Sequence, residues 1–473
     1  MKEQDYKYKT INPYNNEFVK GFPNTTDDEI KETLEISDKL YHDWKKQDIS
    51  ERAKILKNIA KVFRENSDEL AKIATIDMGK LISESKGEVE VCAMIADYFA
   101  DNAEEMLKPK KINTIATGEA TVEMNSTGVI MAVEPWNFPY YQIMRVFAPN
   151  FMVGNPMILK DAANIPTSAQ TFEDMVIKAG APKGSITNLF ISYDQVSDII
   201  ADKRVQGVAL TGSERGGKSV AQIAGANIKK STMELGGMDA FIVLGDADME
   251  QVNKTAFGAR LANAGQVCVS AKRFIVMDNV YDEFLENLKD NFEKVIPGDP
   301  LDTKTTLAPM NTKKAKDKLQ QQVDEAISAG AKVYYGNEPI DLEGQFFQPT
   351  ILTDIYKENP AYHTEMFGPV AHVYKVHSEQ EAIDLANDSD FGLGGIVFAG
   401  DENHGAEVAS KLETGMVYVN SFVVTLPELP FGGVKNSGYG REMSELGLKA
   451  FVNEKLILKA PKPDFENLAG GIG

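Results

Sequence analysis

The sequence predicts an α/β protein built from parallel sheets flanked by helices, and three observations carry the prediction. Its 473 residues exceed one ordinary core and suggest about three domains. From 128 onward, short runs rich in apolar and β-branched residues (129–133, 157–160, 205–211 and 241–244) alternate with stretches long enough for crossovers, the pattern of a parallel sheet. A similar alternation resumes over 273–335 and suggests a second α/β unit.

The first hundred residues read as helices. Thr26 and Glu29 have the spacing of a capping box, and Ile30, Leu34, Tyr41 and Trp44 follow on one face. After Ser50 a second helix brings Ile55, Leu56, Ile59, Val62 and Phe63 to helical intervals. The segment 108–123 is polar and threonine-rich, 454–459 is strand-like, and 464–473 is expected to be loose, being glycine-rich and without periodicity.

Composition removes several function classes. A formal charge of −20 argues against nucleic acid or an anionic membrane as partner, since both repel an acidic surface. No uncharged apolar run reaches the ~18 residues of a membrane helix, and the start has no apolar signal core. With Cys92 and Cys268 as the only cysteines, a disulfide framework is not expected, and the protein is expected in the reducing cytoplasm. The five histidines lack ligand spacing, so no metal is expected.

The most informative residues are Cys268, in Asn263-Ala264-Gly265-Gln266-Val267-Cys268, and Glu234, in Met233-Glu234-Leu235-Gly236-Gly237. A thiolate attacks carbonyl carbon, and a carboxylate nearby can then activate water to release the acyl group. Alone, each has a plainer reading: a thiol among small residues packs in a core, and an acid beside two glycines caps a turn. Their companions add weight. Pro135-Trp136-Asn137-Phe138-Pro139 follows the run 128–133 and offers an amide donor that is neutral at every pH, suited to an oxyanion. Glu365-Met366-Phe367-Gly368-Pro369 and Pro430-Phe431-Gly432-Gly433-Val434-Lys435-Asn436-Ser437-Gly438 are turn-rich, with glycines that let backbone approach a ligand. Cys92 lies on a helical pattern without basic or turn neighbours and reads as a packed thiol.

With these motifs in one order and spacing, the chain resembles the NAD(P)-dependent aldehyde dehydrogenases from about 11 to about 459. The resemblance implies a Rossmann-type cofactor domain over 1–107 and 128–236, an α/β catalytic domain over 237–436, and a small β oligomerisation arm joining 108–127 to 450–462. It implies NAD or NADP, held by Trp136, Lys160, Gly212, Ser213, Gly217, Glu365 and Phe367. The usual G-x-G-x-x-G fingerprint is absent, and this family binds the pyrophosphate instead at the helix start after Gly212-Ser213. Lys160 would meet the adenine ribose, Glu365 the nicotinamide ribose, and Phe367 would pack beside the nicotinamide. Three positions after Lys160, where many NAD-preferring members carry an acid, stands Ala163, which leaves NADP open; Asp161 could supply some repulsion.

By the same resemblance Cys268 is the nucleophile, Asn137 and the Cys268 N–H hold the oxyanion, and Glu234 helps water hydrolyse the thioester. The presence of Glu234 favours hydrolysis over transfer to coenzyme A. Arg145 stands where succinate-semialdehyde dehydrogenases, including the shorter bacterial ones, carry an arginine for the distal carboxylate. Their second arginine position is Ala262 here, with Arg260 two residues away. The expected partners are a small-molecule aldehyde and further copies of the chain, as homodimer or homotetramer.

A rival reading comes from Gly212-Ser213-Glu214-Arg215-Gly216-Gly217-Lys218-Ser219, which fits the phosphate-loop pattern G-x-x-x-x-G-K-S/T after a strand. A P-loop NTPase would use Lys218 on phosphates and Ser219 on magnesium. The aldehyde dehydrogenase reading already needs Gly212, Ser213 and a later glycine here, leaving only Lys218 and Ser219 to coincidence.

Overall fold

The computed structural model describes residue 4 and residues 6–460; the expectation for 464–473 and the last two residues of the 450–462 arm lie outside the described residues. The first large sheet has the order Gly438–Tyr439, Lys230–Glu234, Val205–Thr211, Val129–Val133, Met157–Lys160, Ile186–Asn188, parallel except at the Gly438–Tyr439 edge. The chain enters at Val129–Val133, winds outward through Met157–Lys160, then crosses back to Val205–Thr211 and winds the other way. Where strand order reverses, adjacent loops diverge and leave a crevice beyond the carboxyl ends of the strands. Residues 134–137 and 211–213 occupy that edge. Register fixes two more groups there: Glu234 pairs with Thr211, and Lys160 with Val133.

The second sheet runs Lys332–Tyr335, Thr350–Thr353, Val370–Val376, Arg273–Met277, Ala240–Val243, Gly395–Phe398, Tyr418–Val419, with only Lys332–Tyr335 antiparallel. The expected strand at 241–244 is thus Ala240–Val243, shifted by one residue. Phe241 packs against Phe274 and Phe398, each at 5.2 Å between ring centroids. A third sheet joins Lys110–Ile112, Glu119–Ser126 and Val452–Lys459, all antiparallel, with Val452 opposite Ser126 and Lys459 opposite Glu119. No helix among the described residues is long and apolar enough to cross a membrane.

The N-terminal region needs one correction. Its four long helices are preceded by a hairpin, Tyr8–Ile11 with Phe18–Phe22, which the reading as helices omits. Four residues are the shortest run in which alternation can mark a strand, and tertiary bonds hold this one: Tyr8 Oη donates to Ile191 O at 2.6 Å and Lys9 N to Ala163 O at 3.0 Å. The helix Asp27–Trp44 opens on the expected capping box, with Glu29 N donating to Thr26 Oγ1 and Thr26 N to Glu29 Oε2. Ile30, Leu34, Tyr41 and Trp44 are buried on its inner face, and Leu56, Ile59 and Phe63 on that of Ile49–Glu65.

The helix Tyr141–Val153, buried along its whole length, starts four residues after Asn137 and carries no side-chain cap of its own. Glu88, on Ile82–Met106, supplies the missing acceptor: its Oε1 takes the N–H of Tyr140 at 2.8 Å and of Tyr141 at 3.0 Å. A carboxylate there complements the positive end of the helix dipole. Its other oxygen receives Lys80 Nζ at 2.5 Å, both side chains being buried, and Lys80 lies 3.7 Å from the Phe138 ring centroid. Removing one partner of a buried pair strands the other charge, so Glu88→Ala is expected to lower unfolding free energy by about 3–5 kcal/mol. Denaturant midpoints check this, with Lys80→Met/Glu88→Leu expected to recover part of the loss.

Candidate active site

The crevice is closed by an exchange of amides between the turn after Val129–Val133 and the turn before Cys268. Asn137 Nδ2 donates to Gln266 O at 3.0 Å, and Asn263 Nδ2 returns a bond to Asn137 O at 2.9 Å. Gln142 Nε2 holds Asn137 Oδ1 at 3.0 Å, which fixes the direction of the amide and leaves one N–H of Asn137 Nδ2 uncommitted. The turn itself is strained: Asn263, Ala264 and Gly265 have φ of 51°, 52° and 74°, and an alanine at 264 adopts this conformation only under external support. The support comes from Glu84 Oε1, which accepts Asn263 N at 2.7 Å, and from Gln266 Oε1, which accepts Asn311 N at 2.9 Å. At Gly265 a Cβ would stand 2.4 Å from Gly368 O, so only glycine fits.

Cys268 emerges from this turn half-buried. Burial pushes its thiol up to about 11, against the pull of Arg145 and Lys272, while Asp239 and Glu365 add to the rise. Glu234, at the end of its strand, is 2% exposed with both carboxylate oxygens unpartnered. Desolvation, then the nearby Glu442, hold its carboxyl well above the usual carboxylate range, with Arg145 and Arg441 opposing. Such a shift favours the protonated form and makes the carboxylate a stronger base once it ionises.

Two cavities meet at Cys268. One, of about 300 Å³, is lined by Trp136, Asn137, Thr211, Gly212, Ser213, Gly236, Glu365 and Phe367 as well as Cys268. Ser213 caps the helix Glu214–Ala226, accepting Gly216 N at 3.3 Å, and Trp136 meets Phe367 edge to face at 5.8 Å. The other, of about 410 Å³, is lined by Phe138, Tyr141, Phe422 and Phe431, with Arg145, Ala262, Glu84 and Glu88 among them. Of the residues singled out in the sequence, Cys268, Asn137, Trp136, Gly212, Ser213, Glu365, Phe367 and Arg145 therefore gather at these walls. Glu234 lines neither cavity.

Lys160 and Gly217 do not line either cavity. Lys160 is buried at the sheet edge, 5.2 Å from the Tyr193 ring centroid, and burial lowers its affinity for a proton. Gly217 lets the helix approach the sheet, since a Cβ there would stand 2.6 Å from Leu235. The phosphate-loop reading is overturned by local geometry. Residues 214–217, which should arch around phosphate, already form helix, and Lys218 turns outward to pair with Glu214 in an i, i+4 bridge.

Arg145 Nε stands 2.6 Å from Glu442 Oε2, an ion-pair separation without the alignment of a full hydrogen bond, and its NH2 reaches Thr211 Oγ1 at 3.3 Å. Its guanidinium lies over Phe431 at 4.3 Å and Tyr141 at 4.9 Å. Arg260, by contrast, is spent on backbone: it donates to Val370 O at 2.8 Å, Met366 O at 3.0 Å and Ser270 Oγ at 2.5 Å, which ties the Glu365 loop to the loop after Cys268. Sequence reasoning missed Glu442, Glu134 and Lys272. Glu442 follows the motif ending at Gly438 closely enough to be flagged; Glu134 directly precedes Pro135-Trp136-Asn137, yet a strand-end acid carries no signal of burial.

The aldehyde dehydrogenase family profile matches residues 1–457. The succinate-semialdehyde dehydrogenase (NADP+) of Deinococcus radiodurans is 45% identical over 96% of this chain and 95% of its own, and that of Mycobacterium avium 40% identical over 95% and 96%. The crystal structure of succinic semialdehyde dehydrogenase from Streptococcus pyogenes in complex with NADP+ superposes with a TM-score of 0.95 at 56% identity, covering 96% of this chain and all of that one. A betaine aldehyde dehydrogenase from Staphylococcus aureus, at 30% identity over 97% and 95% of the two chains, gives a TM-score of 0.93. With its family-wide match and the two cavities meeting at one cysteine, the chain belongs to the aldehyde dehydrogenase family and is an NAD(P)-dependent oxidoreductase.

Proposed function

We propose that the chain oxidises succinate semialdehyde to succinate with NADP+, through a thioester on Cys268. The observation that carries this reading is the placement of one thiol in the wall shared by two cavities, with Asn137 on one side and Arg145 on the other. The smaller cavity suits a dinucleotide: a capped helix start favours phosphate, Gly212 and Gly236 admit close backbone approach, and Glu365 can accept from a ribose diol. Gly217 lets its helix pack on Leu235 in the cavity wall, and Lys160, outside this cavity, is the group for the adenine ribose. For NADP over NAD, the support is Ala163 in place of an acid, the lysines Lys160 and Lys7 near one another, and the names of the relatives above.

The chemistry then divides among the residues. Cys268 ionises and attacks the aldehyde carbon, and the uncommitted N–H of Asn137 stabilises the oxyanion where its charge develops. When bound, the nicotinamide supplies the hydride acceptor that turns the thiohemiacetal into a thioester. Glu234 takes a proton from water, the resulting hydroxide attacks the thioester, and Cys268 leaves as thiolate with release of the carboxylate. Glu442, paired with Arg145 and close to Glu234, shapes the charge that Glu234 must carry. For the substrate, Arg145 presents a guanidinium at the apolar cavity, the group that suits a distal carboxylate.

The domain boundaries proposed are 1–107 with 128–236 around the cofactor, 237–436 for the catalytic unit, and 108–127 with 450–462 as an arm between subunits of a homodimer or homotetramer. Leu456 and Leu458, 63% and 48% exposed on the strand Val452–Lys459, support the arm's role as a contact surface. Two free cysteines support a cytoplasmic location.

Three outcomes test this reading. Cys268→Ala is expected to abolish aldehyde oxidation in a coupled absorbance assay, whereas Cys92→Ala, at a thiol fully buried in the helical core, retains it. Because Cys268 attacks as its thiolate and burial holds the thiol up to about 11, its reactive form accumulates as pH rises. The kcat/KM for aldehyde should therefore climb as pH rises toward the thiol's value of about 11, and a flat profile would contradict the assignment. Finally, Arg145→Gln made together with Glu442→Gln, which leaves neither charge stranded, should weaken succinate semialdehyde by about 2–3 kcal/mol in kcat/KM relative to a neutral aldehyde of equal length. Equal losses on both would confine Arg145 to the fold.

A further inference from the structure

We propose that Lys272 is a positioning residue that ties the nucleophile turn to the carboxylate of Glu365, holding the thiol and the acid of the cofactor cavity in register through one buried ammonium. The proposal rests on the reading of Cys268 as nucleophile and Glu365 as a cofactor-binding acid. Lys272 is 0% exposed. An ammonium removed from water must satisfy three N–H groups and its charge, or the fold bears a large desolvation penalty. Three acceptors surround this one: Val267 O at 2.9 Å, Cys268 O at 2.6 Å and Glu365 Oε1 at 3.1 Å.

Each contact has a consequence. The two carbonyls flank the peptide N–H of Cys268, so the ammonium sets the direction of the backbone from which the thiol projects. Glu365 Oε1 also accepts Gly237 N at 3.2 Å, so this oxygen is taken by protein and Oε2 is the one left toward the cavity, beside Gly236. Lys272 itself is anchored at the head of the strand Arg273–Met277, with its N–H on Asp239 O at 3.1 Å and its carbonyl accepting His372 N at 3.0 Å. Its short reach therefore transmits the position of the second sheet to both catalytic turns at once.

The same charge acts on the thiol. The groups facing Cys268 are Arg145 and Lys272, which favour its anion, Asp239 and Glu365, which oppose it, and the Tyr141 hydroxyl. Removing Lys272 takes away one of the two cations that favour the thiolate and leaves the opposition of Asp239 and Glu365 in place. Nothing in the backbone pattern around 272 marks the residue as more than the entry to a strand.

The test compares wild type with Lys272→Met, Lys272→Gln and Glu365→Gln by the rate at which iodoacetamide alkylates Cys268 across pH, followed by the mass of the Cys268 peptide and by loss of activity, alongside the KM for NADP+. Lys272→Gln keeps a side chain of similar polarity, so the comparison survives if methionine unfolds the loop. Both Lys272 variants are expected to alkylate about tenfold more slowly at a pH below the thiol's own, equivalent to about one unit in its ionisation, and to show a raised KM for NADP+. Glu365→Gln, which removes a negative charge and keeps Lys272, should raise the KM without slowing alkylation. A folded Lys272→Gln with an unchanged alkylation profile overturns the proposal, as does an unchanged KM. Wild-type protein that stays active after Cys268 is alkylated would instead remove the nucleophile assignment on which it stands.

Discussion

The reciprocal amide bonds between Asn137 and the 263–266 turn are the constraint on which the rest of the site depends. Asn137 lies in the turn that follows a strand of the first large sheet, and the turn carrying Cys268 leads into a strand of the second. Neither sheet alone contains an active site. A 3.0 Å bond in one direction and a 2.9 Å bond in the other bring the Asn137 amide and the Cys268 turn, the proposed oxyanion donor and nucleophile, from separate sheets to one wall. The left-handed residues at 263 and 264 show the cost of this closure, since such strain persists only where surrounding contacts over-determine it.

Around that junction the protein buries more charge than its stability alone would favour. Glu134, Glu234 and Glu442 lie close together around the guanidinium of Arg145, all three held above the usual carboxylate range by desolvation first. Burial and the mutual repulsion of these acids favour their protonated forms, and such a carboxyl acts as a base only after losing its proton. On the other side of the thiol, Lys272 and Arg260 hold the Cys268 and Glu365 loops by their carbonyls. Buried cations gripping backbone oxygen thus add to the amide exchange in holding these loops.

Much of this was legible in the sequence. The strands at 129–133, 157–160 and 205–211 announce themselves because a buried parallel strand is a continuous apolar run. Cys268, Glu234 and Asn137 are legible because each sits in a local motif whose turns require particular residues. The Tyr8–Ile11 strand was not, because it is only four residues long and, beyond its hairpin with Phe18–Phe22, the bonds that hold it reach Ile191 and Ala163, remote in sequence. Glu442, Glu134 and Lys272 escaped for the same reason: burial and ion pairing are tertiary facts, and an acid or lysine at a strand end otherwise reads as solvated. The phosphate-loop pattern misled in the opposite sense, since four residues of the matching loop are helix and its lysine is bound to Glu214.

The central claim is that Cys268 carries the acyl group between oxidation and hydrolysis. The most direct measurement is mass spectrometry of Glu234→Gln protein quenched in acid after mixing with succinate semialdehyde and NADP+. The account predicts a succinyl increment on the peptide containing Cys268, in amounts matching the reduced cofactor released in the first turnover. Reduced cofactor formed in that amount with Cys268 unmodified, or with the increment on Cys92, would contradict it.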